Sequence, residues 1–209
     1  MTTVVKDPYI FYKDDILTPE FCNHCIEKFE NDRRPIPGQT SGGLDTTIKD
    51  SLDLRITALE DWTLEDNIFA DNLQFCLDQY TNHLNKNIAL IDRTTVSPKN
   101  MNPFNGAMGL SISDSGYQIQ KTKPGTGYVW HNDFEVNNQN GIRYLTFIFY
   151  LNDVREGWTQ FDSGQQVEPK QGRVLLFPST WTYTHQGYPP KDTKYLVTGW
   201  IHLSIENMK

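Results

Sequence analysis

The sequence is poor in cysteine, in basic charge and in long apolar runs, and each shortage closes off a class of protein. It holds three cysteines, Cys22, Cys25 and Cys76. So few, and an odd number, cannot staple 209 residues as a disulfide framework, so a reducing, cytoplasmic setting is expected. The net charge is −7 and the pI is near 5.2, which argues against a nucleic-acid partner, since that needs a basic footprint. No stretch approaches the roughly 18 to 20 consecutive apolar residues of a membrane span, so no membrane partner is expected. Residues 1–8 contain no apolar h-region, so no secretory signal is expected. There is no internal repeat. Gly125 and Gly127 precede no helical pattern, so they read as turn residues and not as a phosphate loop.

What is present is the composition of a folded domain: 37% hydrophobic and 22% charged residues. The length suits one domain over 1–209. Thr18-Pro19-Glu20 is a helix start, with Thr18 as N-cap and Pro19 in the first turn. Phe21, Cys25, Ile26 and Phe29 follow at helical spacing, predicting a helix over 19–31. Residues 31–50 carry Pro35, Pro37, Gly38, Gly42 and Gly43 and are expected to form a long mobile loop. A second helix is predicted over 64–86, with a stripe of Ile68, Phe69, Leu73, Phe75, Cys76, Tyr80 and Leu84.

From about Ser111 the pattern changes to short β-rich runs broken by Gly, Pro, Asn and Asp. They cover 117–122, 127–131, 142–151, 159–161, 174–177, 181–185 and 195–204. The expected fold is mainly β with N-terminal helices, its core a double-stranded β-helix or jelly roll. Residues 1–100 then read as helical support with a mobile loop, and 101–209 as the core.

His131-Asn132-Asp133 is the first chemical signal. At a strand end, residues i and i+2 point to one side, roughly 6–7 Å apart at about 3.3 Å per residue. His185, 52 positions after Asp133, can supply a third ligand from another strand. Two imidazoles and a carboxylate on one face of an octahedron leave three positions open, as in non-haem Fe(II) oxygenases. His202, on the last strand, is the rival third ligand, whereas His24 and His83 sit on predicted helices. Lys194 follows His185 across a turn containing Gly187, Pro189 and Pro190. A hairpin of that length would put Lys194 on the neighbouring strand and in the same cavity. A buried lysine needs a partner, and a dicarboxylate would be one; the alternative is a solvated turn lysine like Lys191. Cys22-Asn23-His24-Cys25 lacks a second cysteine pair and is a weak zinc signal.

Several blocks, in order and spacing, resemble the 2-oxoglutarate/Fe(II) oxygenases, and within them the prolyl 4-hydroxylases. They run from Lys123-Pro124-Gly125 through His131-Asn132-Asp133, Arg143 to Asn152, Gly157 to Phe161, Gly172 to Pro178, His185-Gln186-Gly187 and Lys194 to Trp200. The resemblance spans about 117–202. It implies that His131, Asp133 and His185 bind Fe(II) as catalytic ligands. It also implies that Lys194 and Tyr150 hold the distal carboxylate of 2-oxoglutarate and that Thr198 faces the cosubstrate. Tyr128, Arg143 and Trp200 would line the substrate pocket. Read bare, Tyr128, Tyr150 and Trp200 fit as packing aromatics and Arg143 as a surface residue.

The implied cofactors are Fe(II), 2-oxoglutarate as cosubstrate, O2, and ascorbate as a further candidate. The implied reaction is hydroxylation of a prolyl residue in a peptide or protein partner, with release of succinate and CO2. The alternatives are the same chemistry on a free amino acid or another small molecule, and a non-catalytic jelly-roll binding module. Two positions depart from the pattern: Trp158 replaces the second of two adjacent glycines, and Thr122-Lys123 stands where a tyrosine precedes Pro-Gly. The 31–50 loop and the turn 135–141 are expected to flank the mouth, and one or both to close over substrate.

Overall fold

Alternation along the longest strands fixes the layers. The computed structural model describes residues 6–87, 110–137 and 141–205. In chain order its elements are strand β1 (Phe11–Lys13), helix α1 (Pro19–Asn31), strands β2 (Ile36–Pro37) and β3 (Leu52–Arg55), a short 3-10 turn (Glu60–Trp62) and helix α2 (Thr63–Asn87). Strands β4 (Leu110–Asp114), β5 (Gln118–Thr122), β6 (Tyr128–His131), β7 (Val136–Asn137), β8 (Gly141–Tyr150) and β9 (Thr159–Phe161) follow. The last are β10 (Gln166–Val167), β11 (Val174–Pro178), β12 (His185–Gly187) and β13 (Lys194–Ile205).

Among the described residues these strands form two sheets. The major sheet runs β1-β11-β8-β13-β5-β3-β2, with β4 beside β13 and β7 beside β8; the minor sheet runs β10-β9-β12-β6. All pairings are antiparallel. On β8, Phe147 and Phe149 face the helices while Ile148 and Tyr150 face the minor sheet. On β11, Val174 and Leu176 face the helices, and Leu175 and Phe177 face inward. This period of two is the pleat, and both faces are buried, which explains the near-continuous apolar runs. Each large apolar side chain sealed this way contributes roughly 1.5–3 kcal/mol. The result is the jelly roll with N-terminal helices expected from sequence.

The helices lie where their caps put them. Thr18 Oγ1 accepts from the Phe21 amide at 3.3 Å, and Pro19 occupies the first turn of α1. The buried stripe of α1 is Cys22, Cys25 and Phe29, so Cys22 and not Phe21 completes it. On α2, Leu77 is buried and Phe75 is exposed, because position 75 lies off the stripe set by Phe69, Leu73, Cys76, Tyr80 and Leu84.

Three expectations change. Residues 1–100 are more than helical support: β1 pairs with β11, and β3 pairs with β5, so the N-terminal part supplies strands to the major sheet. The 31–50 stretch is tied down by the β2–β3 ladder and by bridges Thr40↔Gly43 and Lys49↔Tyr128. Residues 181–184 precede the strand and are not part of it; β12 starts at His185. No helix among the described residues is long and apolar enough to cross a membrane. Residues 138–140 of the expected mouth turn lie outside the described residues.

Candidate metal centre

The candidate site lies between the two sheets. His131 ends β6 and His185 begins β12, and the two are directly paired across the ladder. Asp133 follows β6 by two residues, and the ligand-type atoms of the three side chains all lie within 4.8 Å of one another. His131 Nε2 is 3.8 Å from Asp133 Oδ1, and His185 Nε2 is 3.7 Å from Asp133 Oδ2. Among the described residues this is the one such cluster of histidine, cysteine and acidic groups. His202, buried on β13, is not in it. Cys22, Cys25 and Cys76 are buried in the helical layer as free thiols, and burial pushes each thiol up, that of Cys22 to about 11.

The outer contacts fix how these groups face each other. His131 Nδ1 lies 2.7 Å from the Val129 carbonyl, and His185 Nδ1 lies 3.0 Å from that of Tyr183. A carbonyl only accepts, so each Nδ1 carries a proton, and Nε2 is the ring atom that each histidine turns toward Asp133. Asp133 Oδ2 accepts from Thr146 Oγ1 at 2.7 Å, and Thr146 in turn meets Ser179 Oγ at 2.9 Å. Burial, then the neighbouring His185, push the His131 imidazole down to about 4, so it is unprotonated near pH 7. Burial pushes the Asp133 carboxyl up, but His185, His131 and the Thr146 hydroxyl outweigh it and hold it ionised. Two imidazole Nε2 atoms and one carboxylate converging this way fit a divalent cation with open positions.

The cavity around this cluster has a volume of about 570 Å³. Lys194, 3% exposed, donates from Nζ to the Gly157 carbonyl at 2.8 Å. No carboxylate among the described residues pairs with it, and burial pushes its ammonium down to about 8. Gly157 takes φ of +70° next to Glu156 at +61°, and that left-handed turn aims its carbonyl inward. Lys194 reaches the cavity by a different route from the expected hairpin. It opens β13 in the major sheet, facing β12 across the sandwich and not beside it.

Of the other expected residues, Thr198, Tyr128, Arg143 and Trp200 line the cavity. The Thr198 hydroxyl donates to the Phe147 carbonyl at 2.9 Å and can only accept from a ligand. Tyr128 stacks on the His131 ring, centroids 3.5 Å apart. Arg143 pairs with Glu135 at 2.7 Å and lies 3.7 Å over the Trp200 ring. Arg143 Nε and Trp200 Nε1 are both buried and have no hydrogen-bond partner among the described residues. Tyr150 is fully buried, and its hydroxyl meets Thr159 Oγ1 at 2.7 Å; Thr159 lines the cavity.

Sequence reasoning missed Thr146, Ser179 and Thr159. Thr146 carried a signal, being a polar residue inside the apolar run of β8.

Comparison with known proteins agrees with this fold. Residues 117–202 match the model of the 2OG-Fe(II) oxygenase superfamily. Egl nine homolog 1 of rat is 38% identical over 90 residues, covering 36% of this chain and 25% of the relative. The mouse protein matches at 38% and 21% of its length, so this chain spans about a quarter or less of these relatives. The fold resembles a prolyl hydroxylase from Trichoplax adhaerens bound to a hypoxia inducible factor peptide: TM-score 0.67, 18% identity, 93% of this chain and 84% of that one. It also resembles a viral collagen prolyl hydroxylase from Paramecium bursaria chlorella virus in its 2OG complex, with TM-score 0.59, 16% identity and 92% and 94% coverage. A Pseudomonas putida prolyl-4-hydroxylase gives TM-score 0.60, 15% identity and 93% and 92% coverage.

Proposed function

We propose that this chain is an oxygenase of the 2OG-Fe(II) type, a reading supported by the match of residues 117–202 to that superfamily, and that it hydroxylates a prolyl residue of a peptide or protein. The observation that carries the reading is the meeting of the His131, Asp133 and His185 cluster with an unpaired buried lysine, Lys194, in one cavity. The cluster accounts for a divalent metal. Lys194 accounts for a dicarboxylate cosubstrate, since burying an ammonium without a counter-charge is costly.

Fe(II), with 2-oxoglutarate and O2, would supply oxidative decarboxylation to succinate and CO2 coupled to hydroxylation of a C–H bond. His131, Asp133 and His185 would hold that ion. The Val129 and Tyr183 carbonyls fix the two rings, and the Thr146–Ser179 pair fixes the carboxylate. Lys194 would bind the distal carboxylate, with Thr159 beside it and Tyr150 holding the Thr159 hydroxyl in place. If Tyr150 donates to Thr159, the threonine proton is free to point into the cavity. Arg143 and Trp200 would give their unpartnered N–H groups to carbonyls of the substrate backbone. Phe134, lining the cavity yet 46% exposed, forms an apolar rim suited to the residues beside the proline.

A cytoplasmic setting is part of the same proposal and rests on the three free, buried cysteines. Ascorbate dependence is part of it too, by resemblance. The test is a proline-containing peptide library incubated with Fe(II), 2-oxoglutarate, O2 and ascorbate, read by mass spectrometry. A gain of one oxygen on proline, with succinate formed in step, is the expected result. Succinate formation with oxygen appearing only on free amino acids would replace the peptide reading, and no succinate under any condition would overturn the enzyme.

A further inference from the structure

Lys49 and Asp53 form a buried ion pair at the outer wall of the cavity. Lys49 is 5% exposed and its Nζ lies 2.6 Å from Asp53 Oδ2. Asp53, on β3, also accepts from the Ser51 hydroxyl at 2.8 Å and from the Gln118 amide at 2.9 Å. A buried ion pair seldom stabilises a fold more than apolar residues of the same size, yet losing one half of it is costly. Such a pair is better understood by what it holds in register.

It joins two sheets. The backbone of Lys49 bridges Tyr128 on β6, the Val129 amide donates to the Ile48 carbonyl at 3.0 Å, and the Asp50 amide donates to the Gly127 carbonyl at 3.0 Å. Residues 48–50 therefore extend the minor sheet beyond β6, while Asp53 belongs to the major sheet. The other end of the segment rests on the same pair. The Gly38 amide donates to the Ser51 carbonyl at 2.8 Å, and a Cβ at Gly38 would collide with Ser51 Oγ and lie 3.0 Å from Asp53 Oδ2 and from Lys49 Cε. Between these ends Gln39, Thr40 and Ser41 line the cavity.

We propose that the Lys49–Asp53 pair is a clasp that holds residues 38–51 as the outer wall of the substrate lobe, which makes Lys49 a positioning residue for the peptide. That the lobe takes a peptide rests on the proposed function; the clasp itself does not.

Amide hydrogen exchange on the full chain tests it without any turnover. K49M should speed exchange in 38–51 by about tenfold or more while α1, α2 and β8 keep wild-type rates. If K49M folds poorly, D53N should do the same by removing the charge: its one oxygen can still accept from Gln118, and its NH2 can donate to the Ser51 hydroxyl. K49R should restore protection by remaking the pair. In kinetics, a peptide turned over by the wild type should show KM raised about tenfold in K49M, with kcat and the KM for 2-oxoglutarate moving far less. Exchange that rises evenly across the fold, or stays unchanged in both variants, overturns the clasp. A KM for 2-oxoglutarate that rises with that of the peptide overturns the assignment to the substrate lobe. If the wild type hydroxylates no peptide, the proposed function fails, and the exchange data still decide the clasp.

Discussion

The two ends of the cavity are built on opposite principles. At the inner end every polar group that faces the metal position is already held: each histidine Nδ1 by a carbonyl, Asp133 by Thr146, Thr146 by Ser179. At the outer end two buried donors, Arg143 Nε and Trp200 Nε1, have no acceptor among the described residues. Burying an N–H without an acceptor costs about 1–3 kcal/mol, so a protein leaves such groups open chiefly where a ligand will complete them. The inner end is a cluster whose side chains are fixed from behind, and the outer end holds unmet donors.

The largest effect should come from the inner end. H131A removes a ligand and the Tyr128 stack together, and it should abolish both Fe(II) retention and 2-oxoglutarate turnover. Anaerobic Fe(II) and 2-oxoglutarate titration, followed through the visible charge-transfer band, reads the first; succinate release reads the second. Unchanged turnover would remove the metal assignment altogether. Next comes K194M, which would leave a cosubstrate carboxylate buried and unpaired. The cost of truncating such a pair is about 2–5 kcal/mol, or roughly thirty- to several-thousand-fold in 2-oxoglutarate affinity, with metal affinity unaffected.

Lys194 also sets a pH dependence. Its ammonium sits near 8 against an ordinary 10.5, because burial disfavours the charge. Only the protonated form pairs with a carboxylate, and the bound carboxylate raises the lysine again. Affinity for 2-oxoglutarate should therefore be flat below about pH 8 and fall up to tenfold per unit above it. The fold responds in the opposite sense: between 8 and 10.5 the unfolded chain holds more protons, so stability rises with pH there. K194R should abolish the alkaline loss of affinity, since arginine keeps its charge. Affinity independent of pH in the wild type would show that another group carries the anchor.

How much of this was legible in the sequence follows the same division. The cluster of His131, Asp133 and His185, the place of Lys194 in its cavity and both helices were readable, because a cap, an i to i+2 spacing and a helical stripe are local. Strand pairing was not. The short turn after His185 suggests a hairpin, but β12 pairs with β6 and β9 while β13 crosses to the major sheet. For Tyr150 the strand and the sign of alternation were clear, but not its contact with Thr159, which comes from a strand nine residues on. The Lys49–Asp53 pair gave no signal, since an i,i+4 pair inside a Pro- and Gly-rich stretch reads as solvated. β1 and β3 were too short to show a period.

T146V tests the support of the inner end. It keeps the shape and removes the hydroxyl that holds Asp133. Loss of such an outer contact typically costs 10–100-fold in metal affinity, so Fe(II) dissociation should rise by about that much while the peptide KM holds steady. A wild-type metal affinity would mean that the two histidines alone orient the carboxylate.

The smallest effect decides where the inner end stops. The Trp200 indole helps hold the Asp133 carboxyl down, yet its N–H does not meet hydrogen-bond geometry with any group. It therefore stands on the border between the two ends. W200F keeps the ring under Arg143 and deletes the N–H. If the indole belongs to the substrate end, W200F should raise the peptide KM by about two- to tenfold, the worth of one neutral hydrogen bond of 0.5–1.5 kcal/mol, and leave Fe(II) affinity alone. If Fe(II) affinity falls and the peptide KM does not, the indole closes around Asp133 when metal binds, and Arg143 alone faces the substrate.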